Sequence, residues 1–220
     1  MPVDWSTFWV DILDATGDTL IMVGVSLLAS AVIGILIGII LVVTRKGHIL
    51  ENLPVFNVLN AIVNVLRSIP FIILMVAIIP FTRLVVGTSI GTAAAIVPLI
   101  VYAGPYIARL VENSLLEIDP GIVEAAEAMG ATPWQTIFRI LLPEAFSSLI
   151  LSLTTATIGL VGASAMAGAV GGGGLGDLAI AYGYQRFDTD VMIVTVVLLI
   201  ILVQGLQSSG NVISRKLRRR

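Results

Sequence analysis

The residues with the clearest chemical character lie in the stretch 109–143, around Glu124, Ala125 and Ala126. Two alanines beside a glutamate leave a helix surface that another protein can approach closely, and the carboxylate offers an ionic contact. A short rigid helix between two membrane spans is also well placed to transmit motion. A well-capped structural loop would show the same residue types, so the pattern alone leaves both interpretations open.

Strong helix signals flank these residues. Asp119 precedes a proline, which is typical of an N-cap followed by the first helical position. Gly130 suits the end of that helix, because glycine readily adopts the left-handed conformation. Thr132 and Gln135 have the spacing of a capping box. We therefore predict two short helices, and we expect Pro143 to end the second.

A second group of polar residues lies in an otherwise apolar segment. Its members are three and four residues apart and therefore share one helix face: Asn57, Asn60, Asn64 and Arg67. Polar groups at membrane depth usually face the interior of a helix bundle or a water-filled path. The alternative is that the asparagines lie at the cytoplasmic interface and Arg67 extends towards it.

Several kinds of chemistry are excluded by the residue types. The chain has no cysteine and one histidine, His48, so thiolate and histidine-rich metal sites are not available. The predicted spans contain no acid, which disfavours general acid–base catalysis and ion-coupled transport. Neither Lys46 nor Lys216 belongs to a G-x-x-x-x-G-K-[ST] sequence. ATP chemistry would therefore need another subunit, and no cofactor is expected on this chain.

Composition places these residues in a membrane protein. The 220 residues are 57% hydrophobic and 12% charged, with a net charge of −2 and a mean hydropathy of +1.04. Soluble domains carry about 25% charged residues, roughly twice the share found here. The low charge also disfavours nucleic-acid binding. We predict one all-α domain, 1–220, with five transmembrane helices at about 20–43, 61–80, 88–108, 145–170 and 191–207. The stretch 109–143 is the cytoplasmic loop between the third and fourth.

Basic residues predict the orientation of these spans. The side that holds the C-terminal tail has nine lysines and arginines, and the other side has two. The positive-inside rule therefore places the N-terminus outside and the C-terminus in the cytoplasm. The first segment lacks a basic region before its apolar stretch, so we expect that span to be retained rather than cleaved.

Small and hydroxyl residues predict how the spans pack. The first span carries Ser26, Ser30, Gly34 and Gly38 at four-residue intervals, on a face where a neighbouring helix can approach closely. The fourth span is rich in serine and threonine, which fits a helix that lines a path or moves. Four glycines, 171–174, follow it and end the helix, and they would also suit a flexible turn.

The loop resembles the EAA motif of ABC importer permeases. The shared pattern is Glu124-Ala125-Ala126, three residues, Gly130, nine residues, Ile140, one residue and Leu142-Pro143. Five more segments, 67–71, 79–83, 86–91, 129–133 and 164–166, are similar to the methionine uptake subfamily of these type I permeases. The five-span count agrees with that subfamily.

The resemblance implies a role for each motif residue. The loop would be a coupling helix that docks in a cytosolic ATPase, through residues of the motif: Glu124, Ala125, Ala126, Gly130, Leu142 and Pro143. Met166 would narrow the pore at the gate, although a methionine that fills an apolar gap would look the same. Arg67 is a candidate for the translocation path.

The resemblance also implies an assembly in the cell membrane. Two permease chains would pair with two ATP-binding subunits, which bind ATP and Mg²⁺, and a lipoprotein would deliver methionine or a related small amino acid. The permease would open alternately to each side. Two alternatives remain open: a secondary transporter for a small solute, and a membrane anchor outside the ABC class.

Overall fold

A computed structural model describes residues 5–218, which form helices and turns without a strand. The prediction of an all-α chain is confirmed for these residues. The helices are α1 (Trp5–Val43), α2 (Leu53–Ser68), α3 (Phe71–Ala77), α4 (Ile79–Val86), α5 (Thr92–Leu116), α6 (Pro120–Ala128), α7 (Pro133–Gly168), α8 (Gly174–Leu178) and α9 (Thr189–Arg218). A π-helical turn, Ala179–Tyr184, continues α8.

Four of these helices are long and apolar enough to cross a membrane: α1, α5, α7 and α9. A fifth crossing is available if α2 and α3 count as one span, although they are bent by 102°. The bend falls where Pro70 follows Ile69, whose backbone is extended. A residue before proline avoids the helical region. The predicted second segment, 61–80, is therefore broken between α2 and α3, and its last two residues belong to α4.

The helices extend beyond the predicted apolar segments. α1 begins at Trp5 and therefore includes Asp11, Asp14 and Asp18, which the charge-free window 20–43 left outside. α5 continues to Leu116 and takes in charged residues that the sequence analysis placed in the loop. A helix does not need to stop where its apolar window ends, because charged turns can lie beyond the hydrocarbon or in a protein interior.

Pro143 does not end the second loop helix, contrary to the expectation above. Helix α7 runs from Pro133 through Pro143 to Gly168. A π-helical turn, Thr136–Leu141, ends two residues before the proline. Proline offers no N–H and its ring clashes with the carbonyl four residues earlier. The wider π turn is a known way to absorb such a break inside a continuous helix.

The core forms where α1 crosses α5. Ser26 and Ser30 are fully buried, and a Cβ on Gly34 would lie 2.6 Å from Ile107 Cγ2. A Cβ on Gly38 would lie 2.7 Å from Val111. The predicted close approach along this small-residue face is therefore confirmed. Helix α7 completes the core against the same helices.

The glycine run after α7 is a packed connection rather than only a flexible turn. The N–H of Gly91 donates to the carbonyl of Gly171 at 2.8 Å. The N–H of Leu175 donates to Thr19 Oγ1 at 2.9 Å, and a Cβ on Gly174 would lie 2.7 Å from that same oxygen. Only glycine lets the start of α8 approach α1 this closely.

Candidate functional site

The segment from Asp119 to Gln135 folds as its caps predict. Asp119 Oδ1 accepts a hydrogen bond from the N–H of Gly121 at 2.8 Å, and α6 follows. Gly130 has φ +79°, and the capping box between Thr132 and Gln135 forms in both directions. The two short-helix starts and the glycine stop are therefore confirmed. Together they hold α6 in a defined orientation between α5 and α7.

The motif residues divide between two surfaces of this segment. Glu124, Ala125 and Gly130 are exposed, whereas Ala126 is buried. Ala126 faces the base of α7, and its carbonyl accepts a hydrogen bond from the N–H of Ala131 at 3.0 Å. The exposed residues leave a small, acidic surface on α6. Leu142 is half-buried within α7 and Pro143 beside it is exposed.

A cavity of about 110 Å³ lies beneath α6. The loop after α1, the end of α5 and α6 itself line it, and its polar residues are His48, Glu124 and Glu127. Burial lowers the pKa of the His48 imidazole, and Arg45 lowers it further, while Glu127 acts in the opposite direction. The histidine therefore favours its neutral form in the folded chain.

This lowered pKa predicts a pH-dependent stability. The unfolded chain binds a proton at His48 near its ordinary pKa of 6.5, and the folded chain does so only at lower pH. As the pH falls below about 6.5, the unfolded state gains protons first, so the folded state loses stability. We expect His48→Gln to flatten the fall in melting temperature between pH 7.5 and pH 5.5. An equally steep fall in both proteins would contradict the prediction.

Four polar residues join α2 to α5, and we call them the Arg109 cluster: Asn60, Asn64, Arg109 and Glu112. Arg109 Nη1 donates to Glu112 Oε2 at 2.5 Å. Arg109 Nη2 donates to Asn60 Oδ1 at 2.7 Å and to Asn64 Oδ1 at 2.8 Å. The side chain of Glu112 is 1% exposed. An uncompensated buried carboxylate is costly, so this arginine is required where it lies.

Half of this cluster could be predicted from the sequence. The asparagines were expected on one helix face, but Arg109 and Glu112, at the start of the predicted loop, had no assigned role. A signal was present, because an arginine and a glutamate three residues apart share a helix face. Because the loop was predicted to begin at residue 109, the arginine and the glutamate were not recognised as part of the apolar helix α5.

The two path candidates lie outside the segment that carries the motif. Arg67 is exposed near the end of α2, and its guanidinium makes no hydrogen bond or ion pair within the described part of the chain. Met166 is 53% exposed near the C-terminal end of α7. Met166 lies about 36 Å along α7 from Leu142 at ~1.5 Å per residue. The structure therefore does not bring the gate candidate together with the motif.

Serine pairs connect α7 to its neighbours near the loop. Ser114 Oγ on α5 lies 2.8 Å from Ser152 Oγ on α7, and Ser148 Oγ donates to Glu117 Oε2 at 2.8 Å. On the other side of α7, Ser147 Oγ lies 2.8 Å from Ser214 Oγ of α9. The hydroxyls predicted in the fourth span therefore serve in part as contacts between helices.

The helices and the capped loop define a multi-helix membrane component with an exposed connecting helix. Residues 30–219 match the family described as binding-protein-dependent transport system inner membrane components. The chain belongs to this family, and this places it in the inner membrane.

The chain is also similar to individual proteins over two thirds or more of its length. The chain is 54% identical over 209 residues to the probable D-methionine transport system permease protein MetI of Vibrio cholerae serotype O1, covering 95% of this chain and 93% of the relative. It is 57% identical over 151 residues to the D-methionine permease protein MetI of Salmonella typhi, covering 69% and 70%. A solved chain of the inward-facing MetNI methionine ABC transporter superposes with TM-score 0.95 at 50% identity, covering 98% and 99%.

Proposed function

We propose that this chain is the permease subunit of an ATP-driven importer that moves methionine, or a related small amino acid, into the cytoplasm. The observation that carries the proposal is α6, whose exposed Glu124 and Ala125 are held between two capped turns. Relatives of similar length are named as D-methionine permeases, which supports the choice of substrate.

What the chain lacks and what it exposes support the proposed assembly. No P-loop sequence is present, so two ATP-binding subunits would hydrolyse ATP with Mg²⁺ and dock on α6. The coupling contact would comprise Glu124, Ala125, Ala126 and Gly130, with Leu142 and Pro143 fixing the start of the membrane helix. A second copy of the chain would complete the path, and a substrate-binding lipoprotein would deliver the amino acid from outside. Membrane lipid would cover the outer helix faces.

The direction of transport rests on the charge asymmetry. With the basic tail in the cytoplasm, α6 lies on the same side as the ATP-binding subunits. Closure of those subunits would push α6 and rotate the attached helices, so that the path opens alternately to each side. Such rigid-body rotation is a known class of conformational switch.

We place Arg67 and Met166 in the translocation path. Since α2 begins at Leu53, Arg67 lies about 21 Å from the start of the helix at ~1.5 Å per residue. The predicted span began at residue 61, only six residues before Arg67. The side chain of Arg67 would therefore reach the cytoplasmic interface less easily than that prediction implied. A charged side chain at that depth favours a polar interior, which supports a path between two copies. The exposure of Met166 fits a gate better than the filling of an apolar gap.

Neither alternative explains the same observations. A secondary transporter would couple to ions through acids within its spans, and the buried acid of α5, Glu112, is already paired with Arg109. A membrane anchor would not need α6 to be fixed at both ends between two spanning helices. Family membership also favours a transport component over both.

Reconstitution tests the proposal. The chain would be purified with its co-expressed ATP-binding subunits, placed in liposomes with the binding lipoprotein, and supplied with radiolabelled D- and L-methionine. We expect uptake only when ATP is supplied on the side of the membrane that carries the ATP-binding subunits. Uptake driven by a proton or sodium gradient without ATP would favour the secondary transporter. A folded preparation that shows no transport and binds no ATPase would favour the membrane anchor.

The gate assignment makes its own prediction. Met166→Ala removes most of a side chain that is already half-exposed, so the outer end of the path should close less tightly. We expect preloaded liposomes to lose methionine without ATP several times faster than wild type. Leu84→Ala, which truncates an 83% exposed side chain on α4, is the matched control. Equal leak from both variants would remove Met166 from the gate.

A further inference from the structure

Helix α2 is attached to the rest of the chain through two neighbouring contacts. One is an apolar cluster formed by Val63 with Leu41 of α1 and Ala108 of α5. Phe56 and Leu59 of α2 also pack against this cluster. The other is the Arg109 cluster, directly beside Ala108. By contrast, α1, α5 and α7 share one extensive core. The Arg109 cluster therefore supplies the polar part of the attachment of α2, beside an apolar contact that is smaller than the shared core.

The geometry of those bonds restrains α2 in more than one way. A single guanidinium nitrogen, Nη2, bonds Asn60 at 2.7 Å and Asn64 at 2.8 Å. These acceptors are one helical turn apart, so together they oppose both rotation of α2 and sliding along α5. The ion pair with Glu112 in turn holds the guanidinium at 2.5 Å. Bonds between charged and neutral groups are stronger than those between two neutral groups.

The cluster lies between the two regions assigned to function. Two turns beyond Arg109, α5 ends at Leu116, and α6 starts at Pro120. Arg67 lies one turn beyond Asn64 on the same face of α2, just before the 102° bend into α3. A displacement of α6 can reach the end of α5 through the short connection 117–119, and the Arg109 cluster is a direct polar link from there to α2.

We propose that Arg109 is a positioning residue for transport, which makes α2 and its Arg67 move with the inner end of α5 when α6 is displaced. This inference rests on the proposed function. Arg109 does not need to touch the substrate, because it acts through Asn60 and Asn64.

The sharpest test removes the link and keeps the ion pair. The double variant Asn60→Ala/Asn64→Ala leaves Arg109 bonded to Glu112, so no buried charge loses its partner. In liposomes with the complete complex, we expect methionine transported per ATP hydrolysed to fall about tenfold, within the usual range of coupling between sites. ATP hydrolysis itself should stay within about twofold of wild type. Asn113→Ala, an exposed asparagine on α5, is the control and should retain both.

A second comparison separates positioning from general stability. If Arg109 acts through the asparagines, adding Arg109→Gln together with Glu112→Gln to the double variant, which leaves no buried charge unpaired, should reduce transport per ATP no further. Arg109→Lys alone should retain part of the coupling, because it keeps the charge and one donor. Unchanged transport per ATP in the double variant would overturn the inference, as would a proportional loss of transport, hydrolysis and folded protein. If wild type itself does not transport with ATP, the proposed function fails instead.

Discussion

Gly130→Val should abolish coupled uptake while the protein still reaches the membrane. Gly130 has φ +79°, and a left-handed conformation costs an L-residue about 1–2 kcal/mol, with more expected for a β-branched side chain. A Cβ at this position would meet nothing within 4 Å. The strain is therefore in the backbone, and the turn that joins α6 to Thr132 has to change its path.

The consequence for α6 is a change of orientation rather than a loss of structure. The exposed surface of Glu124 and Ala125 would no longer meet the ATP-binding subunit at the same angle. We expect ATP-dependent uptake to fall at least tenfold, with co-purified ATPase reduced or its hydrolysis no longer stimulated by substrate. Reconstituted uptake and ATP turnover measured on the same preparation check this.

Gly130→Asn is the matched control for that variant. Asparagine tolerates the left-handed conformation, and the open space at the position accepts its side chain. It should therefore retain most of the uptake that valine loses. Equal loss from asparagine and valine would indicate that the glycine is needed for close contact with a partner rather than for its backbone angle. Full uptake with valine would contradict a coupling role for this turn.

The double variant Gly34→Ala/Gly38→Ala should destabilise the membrane domain. The added Cβ atoms would lie 2.6 Å from Ile107 and 2.7 Å from Val111, and each would also lie within 3 Å of a backbone oxygen of α5. Backbone atoms in a packed helix cannot move aside as a flexible side chain can. Overpacking costs about 1–3 kcal/mol at each site, so α1 should separate from α5 and the melting temperature in detergent should fall by several degrees.

The same helix provides the control for this prediction. Gly17 and Gly24 also lie in α1, and a Cβ on either would meet nothing within 4 Å. Gly17→Ala/Gly24→Ala makes the same chemical change in open positions and should leave the melting temperature unchanged or raise it slightly. Similar melting temperatures for the two double variants would show that the α1–α5 approach does not limit stability.

Local features of the chain could be predicted from residue order. The small-residue face of α1 predicted a close helix contact because its spacing follows the helical repeat. The caps around α6 were predicted because Asp119, Thr132 and Gly130 act on backbone groups within a few residues of themselves. The EAA spacing and the long apolar runs likewise depend on residues that are neighbours in sequence.

Other features required the folded chain. Arg109 bonds asparagines 45 and 49 residues away in sequence, and no local pattern indicates that α2 and α5 meet at that level. Pro143 was expected to end a helix, yet the helix continues past it, whereas the chain bends by 102° next to Pro70. A proline removes one backbone donor in either case. Whether the helix turns or continues depends on what packs around it, and that packing exists only after distant helices have come together.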